Sequence, residues 1–423
     1  MADGRAAPMA PGGDAIRPHR VPRDLADPLL AALGDWLDVG APTAVAATVI
    51  GDGRPGSWPD ARTEPALRRL ITAHGLSPVL VRDPAAAATV ARLVPESLLA
   101  WLAAQDERNR LRIERLLGEL QAVLRAFRAA SLPVMPLKGA ILATRPGSDP
   151  FRRPMADLDL LVRPGDRVAA RATLTSLGYR RRLDRTRRPT HDTFEIAGNE
   201  TVVAVDGEDP DNPRRIELHT EVRRHLWAWM DDDDLTGHLW SGSVEATILG
   251  EPAIVPTVAA LGAHLAIHAT SDLLLGKGRL IQWLDLAEVL GSAATAIDPG
   301  LAGGRTAPTG LVNPPHPRLV APAVRLAARR LPGRFPAGGP AGLEALEQLV
   351  PTTLARWAAE VPLDTRAGLH GGRWVPADAS TVGARWARWA PHRWRLAVAY
   401  GDAPLVVAAA RHAARVLVIA RQS

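Results

Sequence analysis

Apolar residues between positions 95 and 132 recur every three or four residues, the spacing of one face of a helix. Five large side chains follow this period: Leu98, Leu102, Leu116, Leu120 and Phe127. The pattern predicts one long helix, or two in line, packed against a core. Residues 21–92 form shorter apolar stretches that proline and glycine interrupt. A helical N-terminal region is therefore predicted over 21–132.

From residue 133 the pattern changes to the alternation that is typical of strands. Strand-like runs lie at 133–137, 157–162, 179–183, 192–205 and 215–222. The run at 192–205 contains Gly198-Asn199, a two-residue turn signal, and is predicted to be a hairpin. A helix is predicted at 164–178, because Pro164 lies near its start and Gly178 follows its end. Strands mixed with a helix predict an α+β core at 133–230, built on a mixed sheet.

The rest of the chain is predicted from helical periodicity and from proline and glycine content. The predicted segments are a disordered tail at 1–20, a helical region packing on the core at 231–291, a Pro/Gly-rich linker at 292–342 and a helical C-terminal region at 343–423. The predicted fold class is α+β, with a mixed β-sheet core flanked by N- and C-terminal helical regions.

Two acids occur in the run DLDLLV, and residues i and i+2 of a strand point to one face. Asp157 and Asp159 therefore project together, while the leucines between them face a core. The strand rise separates the carboxylates by roughly 6–7 Å. At an effective dielectric constant near 20 their repulsion costs about 2–3 kcal/mol. A cation such as Mg²⁺, which prefers oxygen ligands, relieves this cost; screening by water on an exposed strand edge is the alternative.

Four residues before this pair offer groups that bind phosphates, which commonly accompany Mg²⁺. Lys138 and Gly139 lie where an extended run turns toward a helix, so backbone N–H groups can face an anion there. Arg152 and Arg153 follow in a loop and add guanidinium donors. Lys138 is also one of only two lysines in the chain. Because the other basic residues are arginines, its compact ammonium is distinctive.

A third acid stands in the alternating run IELHTEV, on a strand predicted to neighbour the first pair. Glu217 is a candidate third acid, and Glu221, on the same face of that strand, is the alternative. His264 and His268 form an i, i+4 pair on an apolar helix. No third ligand accompanies them in the sequence, so packing or hydrogen bonding is predicted there rather than a zinc site.

The composition narrows the class of protein. The chain has 423 residues, enough for two or three domains, and no cysteine, which excludes disulfides and thiolate metal sites. The first twenty residues lack the apolar stretch of a signal peptide. No run approaches the roughly 18 apolar residues of a membrane span. A cytoplasmic location is predicted.

The formal net charge of +6 raises the question of nucleic acid as a partner. Arginine and alanine are abundant along the whole chain, which indicates a compositional bias rather than a basic stripe. Nucleic-acid binding therefore stays open but is not favoured. The cluster of Trp386, Trp389 and Trp394 with nearby arginines suits a membrane surface or nucleic acid, although helix packing is the simpler interpretation.

Taken together, these segments resemble the nucleotidyltransferase superfamily, and within it a poorly characterised bacterial nucleotidyltransferase-like family. The resemblance is carried by LPVMPLKGAIL, FRRPMADLDLLVRPGDR, LTSLGY, RIELHTEV, and HLAIHA followed by GRLIQWLDLAEVL. It covers residues 60–290, and the order and spacing of the motifs matter more than any one of them.

The resemblance implies a catalytic sheet in which Asp157, Asp159 and Glu217 are the catalytic and metal-binding acids. It implies Mg²⁺-dependent transfer of a nucleoside monophosphate from a nucleoside triphosphate. Glu217 would bind a second ion or draw the proton from an acceptor hydroxyl. Lys138 and Arg153 would offset charge on the triphosphate.

One departure concerns the nucleotide pose. In the wider superfamily a Gly-Ser or Gly-Gly turn cradles the triphosphate. Here Lys138-Gly139-Ala140 stands in that position, which is the pattern of the narrower family, and an unusually long stretch separates it from Asp157.

The acceptor is left open as a small molecule, a peptide or a protein. Two other functions remain as alternatives. One is a catalytically silent binding protein of the same fold, such as an antitoxin-like partner, and the other is an RNA-modifying transferase.

Overall fold

The structure is a computed structural model that describes most of the chain. The described residues are 23–38, 62–182, 191–196, 199, 209–224, 233–274, 278–292, 314–335, 340, 342–360, 403–404, 406–408 and 410–411. The predicted tail at 1–20, the predicted turn at Gly198 and the Trp/Arg cluster at 385–400 lie outside them. None of the described helices combines the length and apolar character that crossing a bilayer requires.

Helices build the N-terminal region, as the periodicity predicts. They are α1 (Arg23–Leu37), α2 (Thr63–His74), α3 (Ser77–Arg82), α4 (Pro84–Leu93) and α5 (Glu96–Ala129). Asp83 caps α4 by accepting hydrogen bonds from the backbone amides of Ala85 and Ala86 at 3.1 and 3.0 Å. The prediction of one long helix is confirmed, because α5 runs without interruption for 34 residues.

A five-stranded mixed sheet follows, and it confirms the α+β class. Its strands are β1 (Met135–Pro136), β2 (Asp157–Leu161), β3 (Tyr179–Arg182), β4 (His191–Ile196) and β5 (Arg215–His219), in the order β1-β2-β5-β4-β3. The short helices α6 (Lys138–Ala143) and α7 (Arg167–Ser176) connect them. Strands β2 and β5 are parallel, whereas the other neighbours are antiparallel.

The strand register decides which side chains share a face. Asp159 pairs with Glu217 across β2 and β5, and His191 pairs with His219 across β4 and β5. Because paired residues project to the same side of a sheet, these four side chains belong to one face. Leu158 and Leu160, at the alternate positions of β2, are fully buried.

Residues 231–291, predicted to be helical, also contain strands. The elements there are β7 (Asp233–Asp234), which pairs with β6 (Arg223–Arg224), then α8 (Thr236–Ser241), β8 (Ser243–Ile248), β9 (Glu251–Pro256), α9 (Val258–Leu274) and α10 (Leu280–Ser292). The β8–β9 hairpin turns at Leu249 and Gly250, both with positive φ. That geometry usually selects Asn-Gly, so a leucine in the first position hides the turn from sequence inspection.

The predicted linker at 292–342 is wrong over part of its length. Residues Pro317–Arg330 form α11, which packs against α9 and α10. Pro317 occupies the first helical position, where a missing N–H is tolerated, but Pro322 lies inside the helix. These prolines mask the alanine- and leucine-rich helical period. The C-terminal region contributes α12 (Leu343–Glu347) and α13 (Thr352–Glu360).

Candidate active site

The three predicted acids lie on one face of the sheet, on two adjacent parallel strands. Asp157 and Asp159 occupy alternate positions of β2, and Glu217 pairs with Asp159 from β5. Glu221, the alternative third acid, lies beyond the end of β5, where its exposed carboxylate contacts Arg223 Nε at 2.9 Å. The register therefore favours Glu217 over Glu221 as the neighbour of the aspartates.

Asp159 is the buried centre of the cluster, with 2% of its surface exposed. Lys138 Nζ lies 2.5 Å from its Oδ1, and His219 Nε2 lies 3.0 Å from the same oxygen. Burial alone would raise the pKa of Asp159, but the charges and hydrogen bonds of Lys138 and His219 outweigh burial and hold that pKa well below its ordinary value. Asp159 is therefore ionised at neutral pH.

Asp157 has the opposite electrostatic environment. Burial raises its pKa, and repulsion from Asp159 and Glu217 raises it further, to about 7. Lys138 and Arg153 oppose this shift through their charges alone. The nearby positive charge is therefore too small to keep this carboxylate ionised near neutral pH. A bound cation would add positive charge and lower the pKa of Asp157.

Glu217 lies between two imidazoles. His191 Nε2 is 3.4 Å from its Oε1, and His219 Nε2 is 3.6 Å from its Oε2. Burial lowers the pKa of both histidines, and for His191 this effect prevails. For His219, the hydrogen bond with Asp159 and the proximity of the Glu217 carboxylate outweigh burial and raise the pKa. His191 was not predicted from the sequence, because only the pairing of β4 with β5 brings it here.

Lys138 is the first residue of α6 and has a φ of 47°, in the left-handed region. Such a backbone conformation costs roughly 1–3 kcal/mol for a residue other than glycine and concentrates at functional sites. The described contact of its ammonium is with the Asp159 carboxylate. Lys138 thus lies next to the predicted acids, at the junction between β1 and α6.

Gly139 is required for close packing. A Cβ at this position would lie 2.8 Å from Arg153 Nη1 and 3.0 Å from the Met155 side chain. Arg153 has little freedom to move away, because its Nε donates to both oxygens of the buried Asp285 at 3.0 and 2.8 Å. The Arg153–Asp285 pair fixes the loop before β2 against α10.

Arg152 has structural partners. Its Nη2 lies 2.6 Å from both Asp83 Oδ2 and Glu288 Oε1, which ties the loop before β2 to α4 and α10. Of the four residues predicted to bind nucleotide, only Lys138 contacts one of the three acids. The two arginines support the loop behind them, and Arg153 also acts electrostatically on Asp157.

Arg112 on α5 was also missed by sequence inspection. Its side chain is 1% exposed, and its five N–H groups are directed at five backbone carbonyls 2.6 to 3.0 Å away. The acceptors are the carbonyls of Met155, Ala156, Asp209, Asn212 and Pro213. They lie just before β2 and just before β5, so Arg112 joins the starts of the two acid-bearing strands. Burial lowers its pKa to about 10.

The donor chemistry of the face fits Mg²⁺. Three carboxylates face a single ammonium, and carboxylate oxygen is the ligand that Mg²⁺ prefers. The raised pKa of Asp157 marks where positive charge is lacking. Among the described residues, however, the three side chains whose ligand atoms all lie within 4.8 Å of one another are His191, Glu217 and His219.

The α+β architecture and the acid-bearing parallel strands are those expected of a nucleotidyltransferase core. Comparison with protein families agrees, because residues 60–312 match the family described as uncharacterised nucleotidyltransferase. The match covers more than half of the chain, so the protein belongs to this family, and the resemblance seen in the sequence is confirmed.

Other comparisons add little. No curated protein matches the chain. A solution structure of the antibiotic-resistance factor ANT(2'')-Ia is 18% identical over 37% of this chain and 72% of that one. Its TM-score of 0.26 is too low to bear on the fold or the site.

Proposed function

We propose that the protein transfers a nucleoside monophosphate from a nucleoside triphosphate to an acceptor in a Mg²⁺-dependent reaction. The observation that carries the proposal is the register of β2 on β5, which places Asp157, Asp159 and Glu217 on one face. Membership of a nucleotidyltransferase family supports the reaction class. The acceptor is a small molecule, a peptide or a protein.

Asp157 and Asp159 would hold Mg²⁺, which supplies charge stabilisation to the phosphates of the bound nucleotide. Asp159 is prepared for this role because Lys138 and His219 keep it ionised and fix its orientation. Asp157 would release its proton on ligation, since the cation removes the cause of its raised pKa.

The reacting group of the acceptor is a hydroxyl whose oxygen attacks the α-phosphorus. The bond between that phosphorus and the bridging oxygen toward the β-phosphate breaks, and pyrophosphate leaves. Glu217 is the proposed base for the hydroxyl proton, because imidazoles rather than permanent cations are its closest partners at 3.4 and 3.6 Å.

Lys138 is proposed to bind the β- and γ-phosphates by exchanging its contact with Asp159 for a phosphate oxygen. Replacing Lys138 with alanine should weaken triphosphate binding by about 1.5–3 kcal/mol, the size of one charge-assisted contact. Binding of the matching nucleoside should hardly change, because it has no phosphates. Calorimetry with both ligands measures this difference, and equal losses for both would indicate a collapsed turn instead.

The reaction is tested by supplying each of the four nucleoside triphosphates, labelled at the α-phosphate, with Mg²⁺ and separated small-molecule, RNA and protein fractions of a cell extract. We expect label to enter the small-molecule or protein fraction with the parent protein and not with an Asp157→Asn/Asp159→Asn variant. Labelled RNA would favour the RNA-modifying alternative. Binding of triphosphate without transfer to any fraction would favour a catalytically silent binding protein.

A further inference from the structure

Two histidines flank the third acid, and the proposed transfer reaction requires neither as a metal ligand. His191 begins β4, and His219 ends β5. The two are cross-strand partners, so both side chains project to the face that carries Glu217. Their ring centroids lie 5.0 Å apart with the planes tilted by 51°. Both imidazoles therefore converge on one carboxylate from positions that the sheet fixes.

The distances distinguish a metal site from hydrogen bonding. Glu217 lies 3.4 Å from His191 Nε2 and 3.6 Å from His219 Nε2. Good hydrogen bonds of this kind measure about 2.7–3.2 Å, so both contacts are long for direct bonding. Two ligands held at zinc-like bond lengths of about 2.0–2.1 Å are separated by roughly 3.3 Å in a tetrahedral site. The spacing of these atoms is thus close to that of groups sharing an ion.

The donor set selects the class of ion. Imidazole nitrogen together with carboxylate oxygen suits Zn²⁺, Mn²⁺, Fe²⁺ and related transition ions, whereas Mg²⁺ favours a shell of oxygen. Asp159 Oδ1 lies 3.0 Å from His219 Nε2 and offers a further oxygen at the edge of the group. Asp157, Asp159 and Glu217 offer only oxygen ligands, so the nitrogen ligands that transition ions prefer come from the two histidines.

We propose that His191, Glu217 and His219 form a binding site for a divalent transition-metal ion, with Zn²⁺ and Mn²⁺ as the leading candidates. This site adjoins the Mg²⁺ position proposed at Asp157 and Asp159. It rests on the proposed function in one respect: Glu217 would ligate this ion through one carboxylate oxygen and accept the hydroxyl proton at the other.

The test uses the full chain, stripped with a chelator and studied without nucleotide. Calorimetric titration with ZnCl₂ should show one tight site, at least about 100-fold stronger than binding of MgCl₂. Titration with CoCl₂ should produce visible absorption bands of nitrogen-ligated Co²⁺. Replacing His191, a half-buried residue at the start of its strand, with alanine should weaken Zn²⁺ binding at least about tenfold.

Two further variants keep the result interpretable. His191→Gln keeps a polar side chain while removing the imidazole. It should lose Zn²⁺ affinity as His191→Ala does. Both variants should retain the circular dichroism spectrum of the parent, which shows that they are folded. The matched control is His238→Ala, since His238 is a histidine outside the proposed site whose pKa is lowered by burial and by the charge of another histidine, His316. This control should bind Zn²⁺ as the parent does.

Parent-like Zn²⁺ binding by both His191 variants would overturn the proposal, as would loss of the tight site in His238→Ala or equal affinities for Zn²⁺ and Mg²⁺. The nucleotide transfer assay with Mg²⁺ is independent of these titrations. A parent protein that transfers nucleotide but shows no Zn²⁺ preference therefore refutes this metal site alone. A tight Zn²⁺ site without any transfer refutes the proposed function alone.

Discussion

His191 and Asp192 are consecutive residues of β4, yet they project to opposite faces of the sheet and into clusters of different charge. His191 faces Glu217 on the candidate active face, the side of the sheet that carries Asp157, Asp159 and Glu217. Asp192 points to the other face, where Arg167 Nε lies 3.0 Å and Arg171 Nε 2.7 Å from its Oδ2. Three arginines, Arg167, Arg171 and Arg181, surround the single carboxylate of Asp192. In the cluster of Asp157, Asp159 and Glu217, by contrast, one ammonium contacts one of three acids.

The difference appears in the pKa values of two aspartates on one sheet. Burial would raise the pKa of Asp192, but hydrogen bonds from Arg167 and Arg171 outweigh it and lower the pKa. For Asp157, burial and two neighbouring carboxylates act in the same direction and raise the pKa. The arginines around Asp192 balance its charge and stabilise the fold, whereas the acids around Asp157 are the ones that the proposed cation would balance.

The active face also depends on a residue outside it. Arg112 holds the starts of β2 and β5 together by donating to five backbone carbonyls. Replacing Arg112 with methionine should lower the free energy of unfolding by about 4 kcal/mol, because buried carbonyls lose their donors. Urea denaturation measures the change, and Arg112→Lys should recover a part of it.

A matched control is available one turn along the same helix. Arg115 contacts the Pro210 carbonyl and Asp211 from an exposed position. Arg115→Ala should cost less than about 1 kcal/mol, as exposed ion pairs do. Equal losses for the two variants would mean that Arg112 has no special part in joining the strands.

On the opposite face, Asp192→Asn should lower the free energy of unfolding by about 2 kcal/mol at pH 7, because three charged hydrogen bonds from Arg167 and Arg171 are weakened. The pKa of Asp192 is lowered in the folded state, so its stabilisation is present above the unfolded pKa and is lost as the pH falls through the folded one. The difference between parent and variant should therefore shrink below about pH 4. A constant difference from pH 3 to 8 would show that charge is not its source.

On the active face the corresponding change should act in the opposite direction. Asp157→Asn should raise the stability of the metal-free protein by roughly 1–2 kcal/mol at pH 8, with the partial solvent exposure of the side chain limiting the gain. The pKa of Asp157 is raised, so stability is present at low pH and lost as the pH rises through about 7. The gain should vanish below pH about 4.

Saturating Mg²⁺ provides the control for this change, because it should stabilise the parent and not the variant. Melting temperatures across the pH range, with Mg²⁺ and with a chelator, measure both effects. An Asp157→Asn variant that is less stable than the parent at pH 8 without metal would contradict the surplus of acid.

Local patterns were enough to predict the α5 helix, the acid-bearing strands and the shared direction of Asp157 and Asp159. Alternation along one strand is a property of neighbouring residues, so the sequence contains it. His191 and Arg112 depend on which strands pair and on where a helix crosses the sheet, and no local pattern records these contacts. A signal for Arg112 does exist, since Gln105, Asn109 and Arg112 interrupt the buried stripe of α5 at helical spacing.

Elements outside the sheet were predicted less well for physical reasons of their own. The β8–β9 hairpin turns through Leu249, a residue that rarely adopts positive φ, and α11 contains a proline in its interior. Arg152 and Arg153 have the residue type of phosphate ligands, but their carboxylate partners Asp83, Glu288 and Asp285 are distant in sequence. The sequence does not reveal these partners, and nucleotide binding by the two arginines stays a prediction.

The most direct test of a cation-dependent nucleotide site is calorimetric binding of a nucleoside triphosphate, with Mg²⁺ or with a chelator, to the parent and to an Asp157→Asn/Asp159→Asn variant. The parent should bind with Mg²⁺ and lose binding when Mg²⁺ is chelated. The double variant should bind at least about 100-fold more weakly, a loss of about 2.7 kcal/mol or more. Asp192→Asn, altered on the opposite face, should bind as the parent does. Parent-like, Mg²⁺-dependent binding by the double variant would contradict the assignment of these acids.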